Sequence, residues 1–354
     1  MAEIETRAQQ IKKYILEAVT SHPHDLVAVG ASKFNVTRTT IHRHLTALIK
    51  EDKIFKSGTT NNVSYTLQSP LNKRLTFSLK DKLSESEIWS KNFIFLKEVL
   101  PENVLAICEY GFTEMVNNVI DHSQGENVFI DSQQKDGQIM FRIYDDGIGI
   151  FKKLKDAFKL SDERESILQL SKGKLTTDPK NHSGEGIFFS SRVFDCFVII
   201  ANGLAYIRDN QEDDWFFEKR TNKESSGTLF DMEIAMDSKR ILNEVFKKYT
   251  DPDTYAFDKT HILVNLSLSN ESRFVSRSQA KRILNGLEKF KHIILDFKGV
   301  QSAGQAFVDE IFRVFKNEHA DVTIDVINAN EEIIFMIERG IATAKENFAR
   351  SIPG

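Results

Sequence analysis

Two neighbouring segments constrain this chain most: Glu114-Met-Val-Asn-Asn118-Val-Ile-Asp121-His-Ser123 and Ile139-Met-Phe-Arg-Ile-Tyr-Asp145-Asp-Gly147-Ile-Gly149. The first belongs to a helix expected over 104–123. Helical periodicity puts Glu114, Asn118 and Asp121 on one face and Phe112, Met115, Val116 and Val119 on the other. The second reads as a strand over 138–145. Alternation places Ile139, Phe141, Ile143 and Asp145 on a single core-facing side. A carboxylate on a core face costs free energy unless a donor meets it. Gly147 and Gly149 follow at once, where backbone can approach a ligand closely. A strand ending in a polar Asp-Gly turn is the plainer alternative. The polar helix face upstream favours a pocket with two walls.

A third segment, Asn181-His-Ser-Gly184-Glu-Gly186-Ile-Phe-Phe-Ser190, opens a further helix with two glycines. Helix N-termini of this kind hold phosphate on their free amides. In this order the three segments resemble the N, G1 and G2 boxes of the GHKL ATPase superfamily. That superfamily includes gyrase B subunits, heat-shock chaperones, mismatch-repair proteins, histidine kinases and anti-sigma-factor kinases. The resemblance spans roughly 85–235 and implies a Bergerat α/β sandwich that takes ATP with Mg²⁺. It implies roles residue by residue. Glu114 would polarise the attacking group, and Asn118 would be the Mg²⁺ ligand. Asp145 would accept from the adenine amino group. Asp121, Gly147, Gly149, Gly184, Gly186 and Thr228, the last from Gly227-Thr228, would line the nucleotide. The polar, lysine-rich residues 151–183 occupy the place of the family's lid, with Lys172, Lys174 and Lys180 as possible phosphate partners. The glycine-rich run of the family is reduced here to Gly184 and Gly186, with Glu185 between them.

The N-terminal 68 residues read as three helices, at 4–19, 26–33 and 37–50, then a hairpin of 54–56 and 63–67. Ile41, Leu45, Leu48 and Ile49 share one face of the third helix; Thr39, Arg43, Thr46 and Lys50 share the other. This arrangement resembles the winged helix-turn-helix family, whose third helix reads a DNA groove. The resemblance makes His42 and Arg43 base-edge candidates, with Thr39 beside them. Arg38, Lys53, Lys56 and Asn61 are phosphate candidates. A winged helix used only for protein contacts is the alternative, since this part of the chain is only mildly basic.

From 260 onward strands alternate with helices: strands at 261–266, 292–297 and 322–327, helices at 276–290, 304–315 and 331–339. Ile294-Leu-Asp-Phe-Lys-Gly-Val300 and the small-residue turn after it resemble STAS-like domains (DUF4325-type). The family's phosphorylatable serine is not retained at its aligned place, Gln305. Ser302 nearby reads as a turn or cap serine.

The fold class expected is therefore multidomain α+β: a winged helix at 1–68, a GHKL α/β sandwich at 69–238 and a small STAS-like α/β domain at 239–354. A length of 354 residues accommodates three cores, and a net charge of −4 carries no global nucleic-acid signal. No apolar run approaches 18 residues, so no membrane contact is expected and the cytoplasm is the expected location. Cys108 and Cys196 stand alone in apolar segments and read as buried packing residues. The function expected is an ATP-binding or ATP-hydrolysing regulator that binds duplex DNA, acts as a homodimer and contacts a protein partner through its C-terminal domain. One alternative is an anti-sigma-type serine/threonine kinase acting on a partner or on the STAS-like domain. The other is a scaffold whose pocket does not hydrolyse.

Overall fold

The computed structural model describes residues 6–51, 53–58, 63–67, 70–176, 183–212, 214–219, 226–267 and 274–350. The chain forms two compact units, Met1–Arg74 with Asp131–Asp136, and Leu75–Ile130 with Gly137–Gly354.

The first unit opens with α1 (Arg7–Ala18), α2 (Leu26–Phe34) and α3 (Arg38–Lys50). Strands β1 (Ile54–Ser57) and β2 (Ser64–Leu67) then pair antiparallel. Local chemistry sets each boundary. Thr6 and Gln9 form a reciprocal capping box before α1. Asn35 takes the left-handed conformation that ends α2. Thr37 accepts the Thr40 amide at 3.2 Å to start α3. Ile11, Ile15, Leu26, Ile41, Leu45, Leu48, Ile54 and Tyr65 form one apolar core. The Tyr65 amide donates to the Pro23 carbonyl at 2.8 Å, which fastens the hairpin to the turn ahead of α2.

A seven-stranded sheet follows. Its elements in chain order are β3 (Lys73–Ser78), α4 (Glu85–Phe93), α5 (Glu102–His122), β4 (Asn127–Lys135), β5 (Gln138–Asp145), α6 (Ile150–Phe158), α7 (Glu163–Lys172), α8 (Gly186–Val193), β6 (Cys196–Ala201), β7 (Leu204–Asp209), β8 (Asp214–Lys219) and β9 (Thr228–Ala235). The strand order is β3-β4-β5-β9-β6-β7-β8. The late strand β9 thus lies between β5 and β6, antiparallel to both. That crossover brings the start of β9 beside the end of β5, Tyr144 opposite Leu229. On β5 the buried residues are Ile139, Phe141, Ile143 and Asp145, the set that alternation predicted. On α5 the apolar face is buried against the sheet: Phe112 lies 5.7 Å from Phe141 and 5.1 Å from Phe93, centroid to centroid.

Residues 151–172, part of the polar, lysine-rich stretch that the resemblance places in the lid, are largely helical. They form α6, which buries Phe151 and Leu154, and α7, capped by Asp162 accepting the Glu165 amide at 3.0 Å. A narrow apolar stripe suffices for α6, whereas α7 is buried over seven consecutive residues, 166–172, whose polar members obscure it in the sequence.

The remaining elements are α9 (Leu242–Tyr249), β10 (Lys259–Leu263), β11 (Phe274–Val275), α10 (Arg277–Leu284), β12 (His292–Asp296), β13 (Ser302–Ala303), α11 (Gln305–Asp309), α12 (Lys316–Glu318), β14 (Thr323–Ile327) and α13 (Glu331–Arg350). A π-helical stretch, Glu310–Phe315, joins α11 to α12. Strands β10, β12 and β14 make a parallel sheet in that order. Ser302, expected in a turn or as a cap, lies in β13, and Gly304 occupies the cap position of α11. The residues on either side of position 238 share one unit and one core. Leu168 of α7 and Phe188 and Phe189 of α8 belong to the same apolar cluster as Ile262, Ile283, Phe290, Ile293, Leu295 and Phe307. Among the described residues no helix is long and apolar enough to cross a membrane.

Candidate functional site

A cavity of about 310 Å³ opens between α5, the end of β5, the start of β9 and the α6–α8 segment. Glu114, Asn117, Asn118, His122 and Ser123 line it from α5 and its end. Asp145, Gly149, Thr228 and Phe230 form its sheet side. Ile150, Lys153 and Leu154 come from α6, and Gly184 to Ile187 from the start of α8.

Asp145 is the most enclosed polar group there, 1 % exposed. Its Oδ1 accepts the Gly147 amide at 2.9 Å. Burial raises its pKa above the ordinary carboxylate value, while hydrogen bonds from Gly147 and from the Thr228 amide and hydroxyl oppose the rise. Thr228 is itself fixed, its Oγ1 accepting the Ile150 amide at 3.0 Å. The adjacent Asp146 faces a different task. Although burial opposes it, amide and side-chain donors of Asn127, with the Glu126 amide, hold Asp146 below the usual range. It braces the loop before β4. Gly147 does not line the cavity but cannot be replaced easily, since a Cβ there would lie 2.0 Å from the Ser123 carbonyl oxygen.

Glu114 and Asn118 lie one turn apart on α5. The Asn118 Nδ2 donates to the Glu114 carbonyl at 2.8 Å, which leaves its Oδ1 as the acceptor side of the amide. The Glu114 carboxylate packs against the first residue of α8: a Cβ on Gly186 would come within 2.0 Å of Oε2. Glu185, half-buried at the cavity, has its pKa raised by burial, with Lys174 opposing. Both carboxylates act on the Tyr110 phenol, which burial, the larger cause, already pushes up. Two acids therefore crowd the amide end of α8.

The structure brings Glu114, Asn118, Asp145, Gly149, Gly184, Gly186 and Thr228 to this cavity. Asp121 lies outside the lining and is exposed; the next residue, His122, lines the cavity instead. The lining at that end of α5 passes to His122 and Ser123, so the wheel assigned the wrong residue of the last turn to the polar wall. The residues that sequence reasoning missed are Asn117, His122, Ser123 and above all Lys153. The Lys153 Nζ donates to the His122 carbonyl at 2.7 Å. Burial lowers its pKa, and the charges of Asp121 and Asp145 oppose that. The signal was available, a lysine one turn into the helix after Gly149, but it was indistinguishable from its neighbours Lys152 and Lys155.

Two proposed phosphate partners are corrected. Lys172 and Lys174 do not line the cavity. The Lys172 Nζ donates to the Arg282 carbonyl at 2.8 Å, the Asn285 carbonyl at 2.9 Å and Gln169 Oε1 at 3.0 Å. The Lys174 Nζ donates to the Lys289 carbonyl at 2.9 Å. Lys180 lies outside the described residues, as does Asn61 of the hairpin.

In the first unit Arg38, Thr39, His42, Arg43, Lys53 and Lys56 are all exposed. His44, next to Arg43, is buried, and burial, then Arg43 and Lys12, lowers its pKa. Cys108 is buried and Cys196 partly so. Burial pushes the Cys196 thiol up to about 11, which makes it a packing group.

No curated protein sequence matches this chain. Among solved structures it is similar to an IcIR transcriptional regulator from Alicyclobacillus acidocaldarius, at 10% identity and a TM-score of 0.19, covering 69% of this chain and 96% of that one. A superposition at that score carries no argument about fold or function. Residues 279–333, from α10 through β14 to the start of α13, match the family model of a STAS-like domain of unknown function (DUF4325), so the parallel-sheet module carries a STAS-like segment.

Proposed function

We propose that the cavity binds ATP and that the chain is a nucleotide-controlled, DNA-binding regulator. The observation that carries this reading is Asp145: a buried carboxylate in the lining of the cavity, held by Gly147 and Thr228. It offers an acceptor to a ring amino group, as in the GHKL arrangement. The opposite end suits phosphate on the amides of α8. The donor set also suits Mg²⁺, a hard cation that takes few oxygens from protein. Asn118 Oδ1 would be its protein ligand, and the nearby carboxylates of Glu114 and Glu185 create a need for positive charge. Bound there, Mg²⁺ would neutralise phosphate charge. Glu114 would take the proton from, and orient, the attacking group.

In the first unit we read a winged helix that binds duplex DNA through Arg38, Thr39, His42, Arg43 and Lys56. The three-helix core, the antiparallel hairpin and the exposure of all five side chains support it. We read the whole as a cytoplasmic homodimer whose nucleotide state biases DNA affinity, with the STAS-like module open to a protein partner. The second reading is a serine/threonine kinase of the anti-sigma type, because Glu114 would equally serve a hydroxyl acceptor. Incubation with γ-labelled ATP separates them. Released phosphate supports the switch and label retained on protein supports the kinase. Absence of nucleotide binding sinks both.

A further inference from the structure

The cavity wall made by α7, residues 173–176 and α8 is two-sided. Leu170, Leu175, Thr176, Gly186 and Ile187 face the cavity. Leu168, Phe188 and Phe189, one or two positions away, are embedded in the core of the STAS-like module. A two-residue step on a helix turns a side chain to nearly the opposite face, so one segment serves both sites. Phe188 lies 4.5 Å from Phe257, and Phe189 lies 5.1 Å from it.

Polar contacts fasten the same segment. Lys172 is 2 % exposed, and its three acceptors include the Arg282 and Asn285 carbonyls at the C-terminal end of α10. That end of a helix carries partial negative charge and unpaired carbonyls, which a lysine complements. The Thr260 hydroxyl of β10 donates back to the Lys172 carbonyl at 2.7 Å. Lys174, immediately before the lining residues Leu175 and Thr176, reaches the Lys289 carbonyl and lies 4.7 Å over the Phe290 ring. A lysine buried this deeply is costly to hold, and it lies where solvation of α10 and support of the wall meet.

We propose that the STAS-like module sets the binding-competent form of the nucleotide cavity, with Lys172 as the positioning residue that ties the wall to α10. Loosening α10 lowers the cavity's affinity, and nucleotide in the cavity tightens α10 by the same factor, since coupling between sites is reciprocal. The proposal rests on the ATP reading above and goes beyond it by naming what controls the site. Its physical basis is a continuous packed and hydrogen-bonded connection within one unit.

The test uses the full chain. ATP affinity is measured by titration for the wild type and Lys172→Met, which keeps the stem and removes the donors. Amide exchange across residues 277–285 is followed with and without saturating Mg-ATP. The expected result is slower exchange in α10 of the wild type on adding ATP. Lys172→Met should lose that protection and bind ATP about 5- to 150-fold more weakly, the usual span of coupling. Thr260→Val, which deletes only the hydroxyl bond to the wall, serves if the lysine variant does not fold, and should weaken ATP in the same direction. Normal ATP binding with unchanged α10 exchange in the wild type overturns the coupling and leaves the ATP reading intact. Failure of the wild type to bind ATP at all overturns both.

Discussion

Replacing Asp145 by Asn tests the cavity at its most informative atom. The side chain keeps its shape and one carbonyl oxygen, which still accepts the Gly147 amide found at 2.9 Å. It loses the second acceptor and gains an NH₂, so a ring amino group would meet a donor. A hydrogen bond to a charged group contributes about 1.5–3 kcal/mol. At about 1.4 kcal/mol per tenfold, ATP should bind roughly 10- to 150-fold more weakly. Some stability should also be lost, because the new NH₂ faces the Thr228 donors that the carboxylate accepts, offset in part because burial already raises the carboxylate's pKa and so disfavours its charge in the folded chain. Acid titration adds a second readout. A ligand N–H favours the ionised form, so binding lowers the Asp145 pKa. Affinity is then complete above the free-state pKa and falls as pH drops through it. That free-state value is raised, so the loss should begin at higher pH than for an ordinary carboxylate. The Asn variant has no such proton to take up and should lack this acid limb. Calorimetric titration with ATP, alongside thermal unfolding, measures all of this. A folded variant with wild-type affinity would remove Asp145 from ligand contact and with it the strongest support for a nucleotide.

Three other substitutions examine separate parts of the reading. Glu114→Gln should keep ATP binding and lower turnover by about 10²-fold or more, the usual cost of losing a general base; release of phosphate at the wild-type rate would reduce Glu114 to part of the polar wall. In the first unit Arg43→Ala should blur discrimination between DNA sequences, whereas Lys56→Ala should weaken all duplexes alike and flatten the salt dependence; a selection against genomic fragments that recovers no duplex would argue for protein contacts instead. Lys172 is drawn down to about 7 by burial, against Glu165 and Glu288, from an ordinary 10.5. The unfolded chain then binds more protons across that window, so stability should rise with pH by up to about 1.4 kcal/mol per unit. Urea unfolding at about pH 7.5 and about pH 9 should show this slope in the wild type and its loss in Lys172→Met; equal slopes would mean that Lys172 keeps its ordinary proton affinity.

Several elements were legible because their signals are local. The α3 face, the alternation in β5 and the βα alternation after 260 depend on periodicity alone; α3 and β5 lie within a residue or two of their expected spans, whereas α10 ends at Leu284 instead of 290 and α13 runs to Arg350 instead of 339. Asp145 was legible for a stronger reason: an acid in phase with Ile139, Phe141 and Ile143 has no inexpensive explanation. What escaped depends on distant partners. Lys172 reads like any lysine in a polar run until α10, more than a hundred residues later, supplies its carbonyl acceptors. Lys153 becomes part of the cavity only because α5 ends beside α6. Asp121 was assigned to the cavity from its angle on the wheel, whereas His122 and Ser123 make the lining at that end of α5 and Asp121 is exposed.

The site's electrostatics narrow the choice among readings. The amides at the start of α8 favour an anion, and the Glu114 carboxylate lies against Gly186 there. A side chain at 186 would displace that carboxylate, so the glycine preserves a specific juxtaposition of acid and helix end rather than a generic turn. Glu185 adds a second acid whose raised pKa reflects its burial. Phosphate and these acids compete for the same positive end. Both can be accommodated if a cation stands between them, and Asn118, one turn along α5, presents an oxygen for it. A scaffold that merely filled the cavity with an uncharged ligand would have no use for this concentration of negative charge. On the proposed reading the ligand would be a polyphosphate carried with its own cation, and Glu114 would take a proton from an attacking hydroxyl or water. Switch and kinase share that geometry up to the identity of the acceptor, which explains why the destination of the labelled phosphate, rather than its binding, distinguishes them.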